Sequence, residues 1–367
     1  MAIRTNSVGC SYSQTDQIQV LYIRQVKHLA RQLGVSVAHL EEVANNADLF
    51  CEELTLIDPN KPDKQRSVLN VTGALRRLQR DLLRVVLMPK LKPSPYSHGG
   101  VSGRHIKTNI SCHLDSVHAL VLDISDFFPS VSSNRVYKLF TQRFCCSPDV
   151  ARICTMLCTY NYHLALGLIT SPFLADQILH VVDHRIACAC KKAGLVYTRF
   201  VDDITISGTY NLHPKKSGLA KLVQGILADH GFEVNPNKTK SGRLDKDFEI
   251  TKLRIKRGHT DVRQEYITEL ERQIKDARNL ADGRPFEGPY YTRDQIAGRL
   301  NFVCWVNPGR RRSLKNKFRA VQWNNVLIRS QELGLFKTIK ELRSKKGKAI
   351  AIDVSSKLKD AKSESGR

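Results

Sequence analysis

The chain has 367 residues, with 58 lysines and arginines against 35 aspartates and glutamates, a formal net charge of +23. That length allows two or three subdomains around a sizeable core, and so basic a balance points to a polyanionic partner, nucleic acid first. No apolar run approaches the roughly 20 residues that span a bilayer, and Met1-Ala2-Ile3-Arg4-Thr5-Asn6 leads into polar sequence rather than a signal peptide. No membrane partner is therefore expected, and a cytoplasmic location is. The 10 cysteines include Cys145-Cys146, Cys154, Cys158, Cys188 and Cys190, and no C-x-x-C pair. Free buried thiols fit that spacing better than zinc or disulfides.

Ile18, Leu21, Tyr22, Val26 and Leu29 recur at helical spacing. Gly34 ends that helix, and Ser36 caps a second containing Val37, Leu40 and Val43. Asp58 to Asp63 is a turn-rich break. A strand over Lys64–Leu69 and a basic helix over Leu75–Leu83 follow. Ser97 to Asn109 is a glycine-rich, basic loop whose backbone N–H groups suit a phosphate path. Ala119-Leu120-Val121-Leu122 reads as a buried strand with Asp123 near its end. Helices are expected over Ser133–Phe140 and Pro148–Tyr160. Gly167 permits a close backbone approach, and Ser171-Pro172 opens a helix through Leu179.

Thr198 to Ser207 reads as a hairpin with Asp202-Asp203 at its turn. A helix over Leu219–Leu227 comes next. The turn Asn235-Pro236-Asn237 then directs Lys238 toward the acidic pair. Phe248–Ile255 reads as one strand. Residues 264–335 read as helical, with Leu270, Ile274, Ala277 and Leu280 on one face, and Ser344 onward as a Lys/Ser-rich flexible tail.

Two adjacent aspartates repel unless a cation sits between them. An Asp-Asp pair alone is most often a plain surface turn. A third carboxylate on a separate strand, Asp123, changes the weighing, because phosphoryl transfer with two metal ions needs carboxylates from separate elements. Phe128 stands five residues after Asp123, and one reading places its ring against the sugar of an incoming nucleotide; ordinary core is the other reading for one of Phe127 and Phe128.

Three segments carry a resemblance. Asp123-x-x-x-Phe127-Phe128-Pro129-Ser130, Phe200-Val201-Asp202-Asp203, and Gly231-Phe232-Glu233-Val234-Asn235-Pro236-Asn237-Lys238-Thr239 together resemble a reverse transcriptase. Their order and spacing are most similar to the bacterial retron enzymes, from about Ile18 to about Leu335. The resemblance implies an α+β, right-hand polymerase architecture: a helical segment over 1–58, fingers and a palm with an antiparallel sheet over 59–255, a helical thumb over 256–335 and a basic tail over 336–367. It implies that Asp123, Asp202 and Asp203 hold two Mg²⁺ ions. Arg66, with Lys64 nearby, would grip the triphosphate, and Phe128 and Lys238 would meet the nucleotide. Val71 stands where the family has a proline.

Asn109-Ile110-Ser111-Cys112-His113 resembles the retron Asn-Ala-x-x-His signature, with Ile110 for alanine. Asn109 and His113, four apart on one helical face, are RNA contacts or a structural pair. Ile250-Thr251-Lys252 stands where retron enzymes have Val-Thr-Gly, so Thr251 is an RNA-contact candidate. Arg310, Arg311 and Arg312, beside Phe302, Trp305 and Trp323, suit a duplex backbone and unpaired bases. Leu166 and Ile169 replace the family's glutamine and first proline.

The implied activity is RNA-directed DNA synthesis from dNTPs. The enzyme would copy part of its own structured non-coding RNA, prime from a guanosine 2′-OH and leave a branched RNA–DNA product (msDNA). The implied partners are that RNA, its cDNA and an effector protein of an antiphage system. The other readings are an intron-associated or phage-exclusion reverse transcriptase, and a non-catalytic RNA-binding scaffold.

Overall fold

A four-stranded antiparallel sheet positions everything else. Its strands are β3 (His118–Asp123), β4 (Val196–Phe200), β5 (Asp203–Gly208) and β6 (Lys240–Arg243), in spatial order β4-β5-β3-β6. The computed structural model describes residues 20–58, 61–286 and 288–335, so Ile18, the break at 59–60, the Lys64 side chain and the 336–367 tail lie outside the description. The chain divides into two units, Met1–Thr251 and Lys252–Arg367. The fold is α+β, with helices around antiparallel sheets.

β3 forms because Ala119, Leu120, Val121 and Leu122 are all buried, as a strand covered on both faces requires. β5 is covered on both faces too. Ile204 and Ile206 enter the core on one side, and Thr205 and Ser207 are buried on the other. The helix Ser171–Lys192, with Pro172 in its first turn, buries Phe173, Leu174, Leu179, Val182 and Ile186. It packs on β4.

β1 (Cys51–Asp58) and β2 (Lys61–Val71) form an antiparallel hairpin in which Leu56 faces Arg66. Gly167 explains how this hairpin joins the core. Its φ is +105°, and a Cβ built there would stand 2.0 Å from the Leu69 carbonyl oxygen. Leu69 N donates to Leu166 O at 2.8 Å across the same contact. Gln79, fully buried, holds the loop from its other end, accepting from Ile169 N and donating to Leu157 O.

The first helix spans only Val26–Leu33. Leu21 and Tyr22 instead both donate their backbone N–H to Phe144 O, with Tyr22 at φ 55°. Gly34 ends this helix in the left-handed region, and Ser36 caps the next by accepting from His39 N. The expected strand over Phe248–Ile255 is interrupted. Thr251 and Lys252 both have positive φ, 47° and 66°, and only Glu249–Ile250 and Leu253–Lys256 are extended. Strand propensity gives no warning of this, since threonine rarely takes the left-handed region.

In the second unit Leu253–Lys256 pairs with His259–Asp261 through an Arg257-Gly258 turn with both φ positive. Among the described residues four α-helices follow: Gln264–Ala281, Arg293–Val306, Arg311–Arg319 and Trp323–Glu332. Leu270, Ile274, Ala277 and Leu280 form the buried face of the first. Thr292 and Gln295 close a reciprocal cap on the second. The nine cysteines among the described residues are free thiols, five of them buried. No helix among the described residues is long and apolar enough to cross a membrane.

Candidate active site

Asp123 is the last residue of β3, Asp203 the first of β5, and the two are direct partners in the ladder. Asp202 sits beside them in the β4–β5 turn. Two backbone bonds fix the set: Ile124 N donates to Asp202 O at 3.1 Å, and Asn235 N donates to Asp123 O at 2.8 Å. The second bond ties the Asn235 turn to the end of β3. Pro236–Lys238 forms a single 3₁₀ turn after it, and Lys238 Nζ reaches Asp123 Oδ1 at 2.6 Å. The structure therefore gathers Asp123, Asp202, Asp203 and Lys238.

Burial, the neighbouring Asp202 and then Asp123 push the Asp203 carboxyl up to about 6. Burial and Asp123 raise Asp202 as well, against the opposing pull of Lys238 and Arg66. Arg66 is exposed on β2, close enough to act on Asp202. Three neighbouring carboxylates are hard oxygen donors of the kind magnesium takes. Among the described residues no three Asp, Glu, His or Cys side chains form a ready-made metal cage.

Phe127 and Phe128 are both buried, their rings 5.4 Å apart, and Phe127 also packs on Phe232. Phe128 keeps the larger exposed fraction, 9% against 4%. His113 lies beyond the end of the helix Ile106–Ser111, so it shares no helical face with Asn109. It is fully buried between β4 and β5, with Nδ1 2.6 Å from Ser207 Oγ and Nε2 2.8 Å from Thr198 Oγ1. Both ring nitrogens of His113 are thus engaged by β4 and β5, and neither meets Asn109. Asn109 is buried too and donates to Thr251 Oγ1 at 3.4 Å, joining two residues that the sequence presents separately. In the second unit Arg310 is committed to buried Asp261 through two bonds, of 3.0 and 2.7 Å, while Arg311 and Arg312 are exposed.

Burial, then His98, pushes His113 down to about 3. The unfolded chain takes up this proton below pH ~6.5, but the folded chain does not until far lower. Stability from His113 is thus fully present above ~6.5 and falls with pH, by up to about 1.4 kcal/mol per unit. Asp203 works the opposite way, since the folded chain takes its proton first. Urea unfolding at pH 7, 6 and 5 separates the two: His113→Gln should lose less stability on acidification than wild type.

One network is missed by sequence reasoning. Arg199 on β4 is fully buried and pairs with Asp176 and Asp183 of the helix Ser171–Lys192. Tyr197 Oη also donates to Asp183. The available signal is the spacing: two aspartates seven apart share a helix face, and an arginine inside a buried strand needs a counter-charge.

The family model described as "Reverse transcriptase (RNA-dependent DNA polymerase)" matches residues 59–265, which contain every residue of the acidic site. The chain belongs to the reverse transcriptase family. Its relatives are of retron type. It is 27% identical over 288 residues to the Retron Ec86 reverse transcriptase of Escherichia coli, covering 78% of this chain and 86% of that one. It is 26% identical over 240 residues to the Retron Se72 reverse transcriptase of Salmonella heidelberg (strain 579083-10), covering 64% and 63%. It is 31% identical over 241 residues to the Retron Mx65 reverse transcriptase of Myxococcus xanthus, covering 60% and 55%. The match thus spans less than two thirds of the length of the Se72 and Mx65 enzymes. Reverse transcriptases use divalent metal ions, and the three carboxylates here have the donor chemistry for them.

Proposed function

We propose that this retron-type reverse transcriptase copies part of its own structured non-coding RNA into DNA, leaving a branched RNA–DNA product. The observation that carries the reading is the direct pairing of Asp123 with Asp203, with Asp202 in the adjoining turn and Lys238 on Asp123. Asp123, Asp202 and Asp203 hold two Mg²⁺ ions. The chemistry supplied by that pair when bound is activation of the primer hydroxyl and neutralisation of the triphosphate and the departing pyrophosphate. Arg66 binds phosphate oxygens in a fork, and Lys238 exchanges its bond with Asp123 for one with the nucleotide. The Phe128 ring closes the sugar side of the pocket and disfavours a ribose 2′-OH.

In this reading residues 59–255 are fingers and palm, and 256–335 are the thumb. Arg311 and Arg312 meet the phosphate backbone, and Thr251, held by Asn109, meets the cognate RNA. The primer is a guanosine 2′-OH of that RNA. The reading includes an effector protein as partner and a role in antiphage defence, which the retron type of the relatives supports.

The test uses protein purified from cells carrying its native flanking DNA. Bound nucleic acid is extracted and divided between RNase and DNase. A small DNA joined to RNA, absent from the Asp202→Ala/Asp203→Ala variant, is the expected result. RNA alone, identical in both proteins, would instead favour a non-catalytic scaffold. DNA with no RNA branch would keep DNA synthesis and remove the branched product.

A further inference from the structure

We propose that Arg199, with Gly99 on the other side of the turn, is a positioning residue that sets where Asp202 stands. The proposal rests on the reading that Asp202 and Asp203 hold cations.

The turn is an unfavourable one. Val201, a β-branched residue, has φ +59°, a conformation that persists only where the surroundings impose it. Arg199 imposes it from within. Its Nη1 donates to the Val201 carbonyl oxygen at 2.8 Å, the last acceptor before Asp202. The rest of the guanidinium is anchored. Nε and Nη2 donate to the two oxygens of Asp183 at 2.8 and 2.7 Å, and Nη2 also donates to Asp176 at 2.8 Å. All three side chains are at most 3% exposed. A planar fork with five donors can make these bonds together, and an ammonium cannot.

The backbone of Arg199 is held as well. Its N–H donates to Tyr96 O, and its carbonyl accepts from His98 N at 2.7 Å. This short parallel bridge brings Gly99 against the turn, where a built Cβ would stand 2.5 Å from Val201 N and from Val201 Cγ2. Asp176 serves both sides, since its other oxygen accepts from Ser94 N at the start of the same segment. The helix, the glycine-rich loop and the acidic hairpin are thereby locked to one another through one guanidinium. That lock holds the Asp202 turn from behind, while the bond from Ile124 N to the Asp202 carbonyl holds it from the side of β3.

The experiment compares the full chain with Arg199→Lys and Gly99→Ala, the second of which disturbs the turn without touching a buried charge. The first readout is Mn²⁺ binding to the protein stripped of nucleic acid, followed by electron paramagnetic resonance. The second is the Mg²⁺ dependence of primer extension, and the third is the unfolding midpoint. Groups that orient metal ligands from behind typically alter affinity ~10–100-fold. Both variants should therefore bind Mn²⁺ at least about tenfold more weakly, with Mg²⁺ half-saturation raised in parallel. A purely structural Arg199 would lower the midpoint and leave Mn²⁺ affinity of the folded protein alone.

A folded Arg199→Lys protein with wild-type Mn²⁺ affinity overturns the proposal. If that variant does not fold, wild-type affinity in Gly99→Ala overturns it. Asp202→Ala/Asp203→Ala is the reference. Should Mn²⁺ binding and extension survive there, the assignment of the aspartates fails, whatever Arg199 does.

Discussion

Replacing Asp203 with asparagine should cut primer extension on an RNA template by a hundredfold to a thousandfold or more, while making the protein more stable. The lost activity follows from the charge. Asparagine keeps the shape of the side chain but cannot hold a divalent cation against the repulsion of Asp123 and Asp202, and removing one such electrostatic group typically costs ~10²–10³ in rate. The gained stability follows from the same repulsion. Burial and two neighbouring carboxylates push the Asp203 carboxyl up to about 6, so at pH 7 the folded chain carries an ionised group in a place that disfavours it. Allowing for partial exposure, the gain should be about 1–2 kcal/mol at pH 7. It should shrink as the pH falls below 6, where wild-type Asp203 takes up its own proton. Extension assays and thermal unfolding at pH 7 and 5 measure both effects. Activity within tenfold of wild type would end the assignment of Asp203 to the catalytic set.

Gly167→Ala should be the costliest small substitution for the fold. A methyl group there would lie 2.0 Å from the Leu69 carbonyl oxygen and within 3 Å of Leu69 C and N, all backbone atoms that cannot rotate away. The residue also sits at φ +105°, outside the range L side chains favour. A loss of about 3 kcal/mol or more is expected, from strain and from displacement of β2. Since β2 carries Arg66, the nucleotide KM should rise in whatever fraction still folds. Gly34→Ala is the control. Its φ is +69° but nothing lies within 4 Å of its built Cβ, so only the backbone term of about 1 kcal/mol applies. Equal losses in the two variants, by urea denaturation, would mean that Gly167 is needed for its φ and not for the contact.

Local signals were enough for the parts of this chain that depend on local chemistry. The apolar run ending in Asp123, the hairpin bearing Asp202-Asp203 and the turn leading to Lys238 each announce themselves by composition and spacing, and β3, β5 and the Pro236–Lys238 turn form there. Gly167 was legible for the same reason, because a glycine before a helix start asks for a close approach. Contacts between distant segments were not legible. Nothing near His113 says that its ring will be enclosed by Ser207 and Thr198, and the spacing of Asp176 and Asp183 offers a counter-charge without saying that Arg199 takes it. The interrupted strand at Thr251-Lys252 was missed because its residues have ordinary extended preferences that the surrounding structure overrides.

The order of strands in the central sheet has a consequence for how the protein is made. β3 leaves the ribosome before β4, β5 and β6, yet it lies inside the sheet, between β5 and β6. Until β5 has been synthesised both edges of an Ala-Leu-Val-Leu strand remain without partners, and until β6 follows one edge still does, which is the situation that invites intermolecular pairing. Pairing over such sequence distances is also slow. Chains stalled or cleaved before residue 240 should therefore aggregate, whereas those reaching Arg243 can close the sheet. The end of β3 that carries Asp123 is completed earlier, by Asp203 of β5 and the Asn235 turn, and β6 then closes the His118–Val121 stretch at the other end.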